Sequence, residues 1–358
     1  MLDSINILFA VAYSRAGLES VHNSNTVPPN THIHSQLAVI VPCYNVERYL
    51  QRALDSAFAQ TWMNFHIYAV DDGSSDKTLQ ILKSNASRCS FVSQPRAGAA
   101  AARNRAIQMS DTPFVAFLDA DDEWRPAKLE RQVALLKQDP TLGLICSRCS
   151  VSEPGLERYA GPALPGVPSS GRLFEHLVRD CFVFTPTVVV RRTCLEEVGL
   201  FNESLAVSED FNLWLRIAAR WRICFLPEVL AITHKRPGSL SASIAPEKRL
   251  QNGVASLKDV RSRCSELTPT ETSALRKALA QRIYFLGAYL LSIGAAQRSR
   301  AQFLSALELR PTHWRAMAKV GLSFLPTGIC NFLVDWKRKL VNRATARNSS
   351  RLAPGDAA

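Results

Sequence analysis

Residues 113–122 read Pro-Phe-Val-Ala-Phe-Leu-Asp-Ala-Asp-Asp, a short apolar run followed at once by carboxylates. The apolar run predicts a buried strand. In an extended chain, side chains two residues apart point the same way, so Asp119 and Asp121 should present their oxygens together. Like charges this close repel and favour a bound cation at pH 7. Carboxylate oxygens suit Mg²⁺ or Mn²⁺, and so few protein ligands leave room for phosphate oxygens. An acidic turn after a strand is the alternative.

A second acidic strand end lies upstream. The β-branched and aromatic run 65–70 leads into Asp71-Asp72-Gly-Ser-Ser-Asp, and an earlier strand, 37–42, leads into Cys-Tyr-Asn. The pattern predicts strands and helices in alternation over 37–42, 46–59, 65–70, 76–84, 89–93, 98–109, 114–118 and 126–138. Such alternation indicates a mostly parallel sheet with helices on both faces, in which ligands bind beyond the carboxyl ends of the strands. Both acidic clusters lie there.

Seven segments, taken together and in order, resemble the motifs of the family 2 glycosyltransferases, which have a GT-A fold. They are Val39–Asn45, Val70–Asp76, Gly98–Arg105, Asp119–Asp122, Thr185–Val190, Gly199–Asn202 and Ser208–Trp214. The resemblance covers roughly residues 36 to 240. It implies an α/β GT-A fold with a mostly parallel central sheet. It also implies an inverting, metal-dependent hexosyltransferase-type enzyme that moves a sugar from a nucleotide-diphosphate donor, expected to be a UDP-sugar, to a hydroxyl acceptor.

The same resemblance implies a nucleotide site at the first two strand ends. Its expected residues are Pro42, Tyr44, Asp71 and Asp72, joined by the diphosphate and metal side chains Asp119 and Asp121. Asp72 would accept a hydrogen bond from the imide N–H of a uracil-type base, a role that suits an acceptor-only carboxylate. Helix capping is the alternative for the two aspartates, although residues 74–76 are better placed for it.

The metal site implied by the resemblance consists of Asp119, Asp121 and His234, binding Mg²⁺ or Mn²⁺. Asp121 is expected to be the principal ligand, with Asp119 supporting it directly or through water. Asp122 is expected either to support the metal ligands from behind or to be a turn residue. His234 follows the predicted strand 229–233, and Lys235 and Arg236 are comparable candidates for a phosphate contact in that region.

Asp210 is the general base that the resemblance implies, in the pair Glu209-Asp210. The alternative is that these acids stabilise the start of a helix after Ser208 through the helix dipole. Trp214, on the same helical face, is expected either to line the acceptor pocket or to be buried in the core. For Arg103 and Arg105 the pattern favours a solvated helical surface over a phosphate contact.

Composition limits the remaining possibilities. The chain has 358 residues, 47% of them hydrophobic, nine cysteines and a formal net charge of +12. The cysteines lack paired metal-ligand spacing, so reduced thiols and a cytoplasmic setting are expected. No basic stripe is interleaved with aromatics, so nucleic acid is not expected as a partner. Residues 1–12 are a poor signal peptide, and 1–35 are expected to be a mobile extension or a misplaced start.

The C-terminal third changes character. Residues 271–291 predict a long amphipathic helix, residues 297–309 a second, and a third begins near His313. The pattern Phe303, Ala306-Leu307, Pro311 resembles one tetratricopeptide helix pair. A single pair cannot bury its own apolar face, so a helical appendage packed on the catalytic domain or on a partner is expected. The expected organisation is an extension (1–35), a catalytic domain (36–245, with nucleotide and acceptor halves 36–125 and 126–245), an appendage (246–335) and a basic tail (336–358).

The tail contains six lysines and arginines between residues 337 and 351, with no acid among them, after an apolar run that includes Trp336. This pattern fits peripheral attachment to the anionic inner face of the cytoplasmic membrane. A docked C-terminal helix with a solvated basic end remains an equal alternative.

Two other functions are weighed. A sugar-phosphate nucleotidyltransferase would carry a Gly-rich basic loop after the first strand, where this chain has Pro42-Cys43-Tyr44-Asn45. A non-catalytic nucleotide-sugar-binding scaffold working through its helical region would not need both Asp121 and Asp210. The expected setting is the synthesis of a cell-surface polysaccharide or glycolipid, with a glycan or lipid-linked acceptor.

Overall fold

The structure, a computed structural model, describes residues 35–153, 156–160, 168–235 and 243–324. The strands are β1 (Leu37–Cys43), β2 (Phe65–Asp71), β3 (Cys89–Ser93), β4 (Phe114–Phe117), β5 (Glu123–Trp124), β6 (Leu142–Glu153), β7 (Leu156–Ala160), β8 (Ser170–Gly171), β9 (Val189–Arg191) and β10 (Arg222–His234). The helices are α1 (Leu50–Phe58), α2 (Thr78–Ser84), α3 (Ala99–Gln108), α4 (Lys128–Gln138), α5 (Phe174–Arg179), α6 (Arg192–Val198), α7 (Glu209–Arg220), α8 (Pro246–Arg263), α9 (Pro269–Ser292), α10 (Ala296–Leu309) and α11 (Trp314–Leu322).

The strands form one sheet in the order β3-β2-β1-β4-β9-β6-β10-β5, with β7 beside β6 and β8 beside β10. The pairs β3–β2, β2–β1 and β1–β4 are parallel, and so is the pair β6–β10. Strand β9 runs antiparallel to both β4 and β6, and it joins the two parallel groups. The parallel strands β1, β2 and β4 therefore bring residues 43–46, 71–72 and 119–122 to one edge of the sheet.

Both faces of the sheet are covered, and β1 illustrates why. Its residues alternate between two cores: Ala38 and Ile40 belong to one, and Leu37, Val39 and Val41 to the other. The first core includes side chains of α3, α5 and α7, and the second includes side chains of α1 and α4. Since every residue of a two-sided strand is buried, β1 reads as a continuous apolar run.

The helices after residue 245 pack against the part of the molecule that carries the sheet. Leu257 on α8 and Leu275 on α9 belong to the same core as Leu213 on α7. Arg172, just before α5, donates to Glu271 at the start of α9 at 2.9 Å. Thr268 and Glu271 form a reciprocal capping box that fixes this helix start. The predicted long helix is therefore present, and it lies against the body of the protein.

Between residues 37 and 138 the predicted strands and helices are all present, although α1 begins at Leu50 rather than at residue 46. Among the cysteines, Cys43, Cys146 and Cys194 are buried and Cys224 is partly exposed. The extension before residue 35, Arg236 and the tail 336–358 lie outside the described residues. Among the helices described, none combines the length and apolarity that crossing a bilayer requires.

Candidate active site

A cavity of about 570 Å³ opens at the carboxyl ends of β1, β2 and β4. Its walls include the predicted site residues Pro42, Tyr44, Asp72, Asp119, Asp121, Asp210 and His234. These side chains come from segments spread over almost 200 positions of the sequence. The cavity therefore unites the nucleotide, metal and base residues that the sequence predicted, whereas Asp71 is not part of its lining.

Asp71 and Asp72, both buried, hold turns rather than a helix end. Asp72 Oδ1 accepts from Gln94 Nε2 and from the N–H of Ala97, and its Oδ2 accepts from the N–H of Gly98, all at 2.8 Å. Asp71 accepts from the N–H of Ser74 and the hydroxyl of Ser93. Gly98 has φ +98°, a conformation that favours glycine. Asp72 therefore fixes the loop that begins α3.

The loop after β1 is tied to the loop after β2. Asn45, at φ 48°, accepts from the N–H of Ser75 and donates its own N–H to Ser74 Oγ. The guanidinium of Arg96 lies 4.0 Å from the centre of the Tyr44 ring at the edge of the cavity. A non-glycine residue in the left-handed region persists only where its surroundings hold it, and such residues concentrate at functional sites.

The acidic turn after β4 is closed by the N–H of Asp122, which donates to the carbonyl of Asp119 at 2.9 Å. Asp122 is buried and accepts from the N–H of His234. Burial, and then the neighbouring Asp119 and Asp121, raise the pKa of Asp122 well above its ordinary value. Asp122 thus closes the turn through its N–H and, through its carboxylate, joins this turn to the end of β10.

His234 is the last residue of β10, and its Nε2 lies 2.7 Å from Glu123 Oε1. The same carboxylate oxygen accepts from Arg52 Nε at 3.1 Å. With Nε2 engaged by Glu123, any metal contact by this histidine falls to Nδ1. Neither Glu123 nor Arg52 was singled out in the sequence.

Arg103 is the residue for which the sequence interpretation was wrong. A solvated helical surface was expected, but the side chain is buried. Its Nη2 donates to Asp119 at 2.7 Å and its Nη1 donates to Glu209 at 2.8 Å. A signal was available, because Arg103 lies three residues after Ala100 and four before Ile107, on the buried face of α3. Arg105 is exposed, as predicted.

Asp210 lies in the first turn of α7 and is partly exposed in the cavity. Its Oδ2 accepts from Thr185 Oγ1 at 3.1 Å, and its Oδ1 accepts from the N–H of Phe211. Ser208 precedes the helix at φ 66° and makes no side-chain cap, but Glu209 and Asp210 both lie in the first turn of α7, so the helix-dipole alternative stays open. Trp214 is fully buried against Phe117 and Phe201, which places it in the core rather than in the pocket.

The residues present suit a divalent ion with few protein ligands. Asp119 and Asp121 both face the cavity and offer hard carboxylate oxygens, the donors that Mg²⁺ and Mn²⁺ prefer. Within residues 35–153, 156–160, 168–235 and 243–324, no cluster of three or more His, Cys, Asp or Glu has metal-binding geometry. A divalent ion bound by these two carboxylates would therefore have several coordination positions left for water or phosphate oxygens.

Comparison with known proteins assigns the family. The family model described as Glycosyl transferase family 2 matches residues 38–199. The Escherichia coli protein described as UDP-Glc:alpha-D-GlcNAc-diphosphoundecaprenol beta-1,3-glucosyltransferase WfgD is 31% identical over 185 residues, which are 51% of this chain and 69% of that protein. The chain belongs to glycosyltransferase family 2.

Other relatives of this family 2 glycosyltransferase extend the comparison. The Amylovoran biosynthesis glycosyltransferase AmsB of Erwinia amylovora is 30% identical over 191 residues, covering 50% of this chain and 62% of that protein. The chain spans about a third of the length of an uncharacterised Rickettsia felis glycosyltransferase (32%) and just under two thirds of a Rickettsia typhi one (62%).

Solved structures confirm the GT-A-type fold. Staphylococcus aureus TarS 1-349 in complex with UDP aligns with a TM-score of 0.61 at 20% identity, covering 81% of this chain and 89% of that one. The mannosyltransferase PcManGT from Pyrobaculum calidifontis, in complex with GDP-Man and Mn²⁺, aligns with a TM-score of 0.53 at 20% identity, covering 84% and 87%. At such identities the likeness concerns the fold alone.

Proposed function

We propose that this glycosyltransferase is an inverting, metal-dependent enzyme that transfers a sugar from a nucleotide-diphosphate donor to a hydroxyl acceptor. The observation that carries the proposal is the single cavity lined by Asp119, Asp121 and Asp210 at the carboxyl ends of the parallel strands. Asp119 and Asp121 together suit a divalent ion that binds a diphosphate, and Asp210, held separately, suits a general base. A binding scaffold would need no such base.

The donor we propose is a UDP-sugar. WfgD is described by its UDP-Glc donor, and TarS is described in complex with UDP. In this chain, Asp72 lines the nucleotide end of the cavity with a carboxylate that uses three hydrogen bonds, and a carboxylate has about four acceptor sites. The remaining site suits the imide N–H of uracil.

The ion we propose is Mg²⁺ or Mn²⁺, held by Asp119 and Asp121 with His234 beside them. When bound, such an ion supplies positive charge that offsets the charge developing on the departing diphosphate. Arg103 keeps Asp119 in place through its 2.7 Å contact. Arg96 and Lys235 also line the cavity and add positive charge near a bound diphosphate.

Asp210 acts as the general base in this proposal. Its carboxylate removes the proton of the acceptor hydroxyl as that oxygen forms a bond to the anomeric carbon. The bond from this carbon to the diphosphate breaks, and its electron pair leaves with the nucleoside diphosphate. Attack from the side opposite the leaving group inverts the configuration. The Thr185 hydroxyl and the N–H of Phe211 orient the two oxygens of the base.

The setting we propose is the synthesis of a cell-surface polysaccharide or glycolipid on a lipid-linked acceptor in the cytoplasm. WfgD is described by a diphosphoundecaprenol-linked acceptor and AmsB by amylovoran biosynthesis. Peripheral membrane attachment is part of this proposal. Its support is the basic tail sequence together with Trp314, Met317 and Phe324, which are 67%, 50% and 65% exposed on or just after α11.

The first prediction tests the base. Asp210→Asn keeps the shape of the side chain but cannot take a proton, so turnover should fall by about 10²–10⁴-fold. Binding of UDP in the presence of Mn²⁺, measured by calorimetry, should be unchanged. Turnover is measured as UDP release from a panel of UDP-sugars with candidate lipid-linked acceptors.

Asp111→Asn is the matched control, because Asp111 is exposed and lies outside the cavity. It should leave both measurements unchanged. Wild-type turnover in Asp210→Asn would remove this residue from the mechanism. Equally tight UDP binding after removal of divalent ions with EDTA would contradict the metal part of the proposal.

A further inference from the structure

Arg103 connects the proposed metal side of the cavity to the side that carries the proposed base. One end of its guanidinium contacts Asp119, on the proposed metal side, at 2.7 Å. The other end contacts Glu209, the neighbour of the proposed base, at 2.8 Å. The side chains of Arg103 and Glu209 are only 7% and 9% exposed, so water screens this ion pair little. One cation therefore spans the distance between the acidic turn and the start of α7.

The helix that carries Arg103 is itself fixed at the nucleotide end. Asp72 accepts from the N–H groups of Ala97 and Gly98, immediately before α3 begins at Ala99. Helix α3 thus starts at the proposed base-recognition carboxylate and carries the bridging arginine about one turn later. A rigid helix transmits the position of one end to the other.

A second contact from α3 holds the chain that leads into α7. Asn104 Nδ2 donates to the carbonyl of Phe201 and to Glu203, and Asn104 Oδ1 accepts from the N–H of Phe201. The segment after residue 203 reaches α7 through Ser208 in a left-handed conformation. Arg103 and Asn104 therefore fix the approach to Asp210 from two sides.

We infer that Arg103 is a positioning residue that sets the place of the base Asp210 relative to the carboxylates of the acidic turn. The inference rests on the proposed function. An arginine is required because its planar fork can donate to two carboxylates at once, whereas a lysine presents a single point charge. The arginine acts through Glu209 and Asp119 and need not touch the substrate.

The test is Arg103→Lys in the full chain with Mn²⁺ and a UDP-sugar. The ammonium group keeps the charge but reaches only one of the two carboxylates. We expect kcat to fall by about 10–100-fold, more than the calorimetric Kd for UDP rises, since small misplacements of a catalytic group cost about that much. Arg105→Lys, an exposed change on the same helix, should alter neither quantity.

A double variant separates positioning from a general loss of structure. Because both changes break the Arg103–Glu209 contact, the loss of kcat in Arg103→Lys/Glu209→Gln should be smaller than the product of the two single losses. Losses that multiply independently would overturn the inference. Should Arg103→Lys not fold, Glu209→Ala breaks the same contact from the other side and should also lower kcat by more than it raises the Kd for UDP. An unchanged kcat in Glu209→Ala would likewise overturn it.

The interaction between Arg103 and Glu209 can also be measured by a method that does not require enzymatic activity. A double-mutant cycle of Arg103→Lys and Glu209→Gln on urea unfolding, in EDTA, should give a coupling between the two sites. Additive effects would overturn the inference even if the enzyme is active. A wild-type chain that transfers no sugar from any donor would instead remove the proposed function, and the cycle would still decide whether the two side chains are coupled.

Discussion

At the scale of single residues, the buried ionisable side chains beside the cavity include Asp122, Glu209 and Arg103. Burial raises the pKa of Asp122 and of Glu209. For Arg103, burial lowers the pKa, but the nearby Asp119 and Glu209 outweigh it and raise the value. Breaking such a buried pair by removing one partner typically costs about 3–5 kcal/mol, because a charge is left uncompensated. The site is therefore held together by groups that depend on one another.

Glu209 gives this arrangement a pH dependence. Burial, and then repulsion from Asp210, raise the pKa of Glu209 to about 7, with Arg103 opposing the rise. Because the folded-state pKa is above the ordinary value of 4.5, the contribution of Glu209 to stability is complete below about pH 4.5 and is lost as pH rises through 7. An amide does not titrate, so Glu209→Gln should lack this pH dependence of stability.

We predict that the free energy of unfolding of Glu209→Gln, measured relative to the wild type, rises with pH between pH 5 and pH 8, on top of a pH-independent cost of altering the contact with Arg103. The rise is on the order of 3 kcal/mol at most, from a shift of about two and a half pH units at 1.36 kcal/mol each. Urea unfolding at several pH values, in EDTA, measures it. Glu196→Gln, an exposed change on α6, should show no such trend. Parallel pH curves for Glu209→Gln and the wild type would contradict the prediction.

At the scale of elements, α7 depends on its neighbours on both sides. Asn212 Nδ2 donates to Asp259 on α8 at 2.9 Å and to the carbonyl of Ser256 at 3.1 Å. Arg216 is buried, and its guanidinium donates to the carbonyls of Val198, Gly199 and Leu200 at the end of α6. These bonds satisfy carbonyls that a helix end leaves without partners. The helix that presents Asp210 is thus held by α6 and by the C-terminal helices.

The contact between α9 and α10 can be tested through two glycines in helices. A Cβ added at Gly287 would lie 2.9 Å from Phe303 Cε1 and 3.1 Å from Gln302 Cβ, whereas at Gly321 on α11 it would meet nothing within 4 Å. Gly287→Ala should therefore destabilise the protein by about 1–3 kcal/mol through overpacking, less a helix-propensity gain of up to about 1 kcal/mol.

Gly321→Ala serves as the matched control for this contact, and it should stabilise α11 by up to about 1 kcal/mol. Thermal and urea unfolding of both variants give the comparison. A stabilising Gly287→Ala would mean that α9 and α10 do not approach as closely as their contact at Phe303 indicates.

At the scale of the whole molecule, one core continues from the sheet through α7 into the C-terminal helices. The C-terminal helices are therefore joined to the part of the molecule that carries the sheet by shared apolar burial, which contributes about 1.5–3 kcal/mol for each fully buried large side chain. The net charge of +12 is distributed unevenly, with a cluster of basic residues after Trp336. In the sequence this cluster follows an apolar segment, a pattern that suits an anionic surface.

The membrane proposal predicts sedimentation with anionic liposomes. Lys337→Gln/Arg338→Gln/Lys339→Gln should lower the fraction that pellets with phosphatidylserine vesicles, since each basic residue near such a surface is worth about 1 kcal/mol. Lys83→Gln/Arg131→Gln/Lys137→Gln removes the same charge from exposed positions on the catalytic part. Equal pelleting of the two triple variants would count against attachment through the tail.

Sequence reasoning was most successful where the signal is local. The strands of the parallel half, the acidic turn at Asp119 and the long helix α9 follow from periodicity and from short-range turn chemistry, and the ordered motifs pointed to the family. It failed at Arg103 because a charged residue on a helix is usually solvated. The partner that reverses this expectation, Glu209, lies 106 positions along the chain.

The amino-acid sequence by itself determined the alternation of strands and helices, the acids at the strand ends and the membership of family 2. Only the tertiary structure decided that Arg103 bridges Asp119 and Glu209, that His234 faces Glu123, and that the C-terminal helices support α7. The physical reason is the distance along the chain over which each interaction acts. Local patterns depend on neighbouring residues, whereas a contact between distant residues exists only after the sheet and helices have packed.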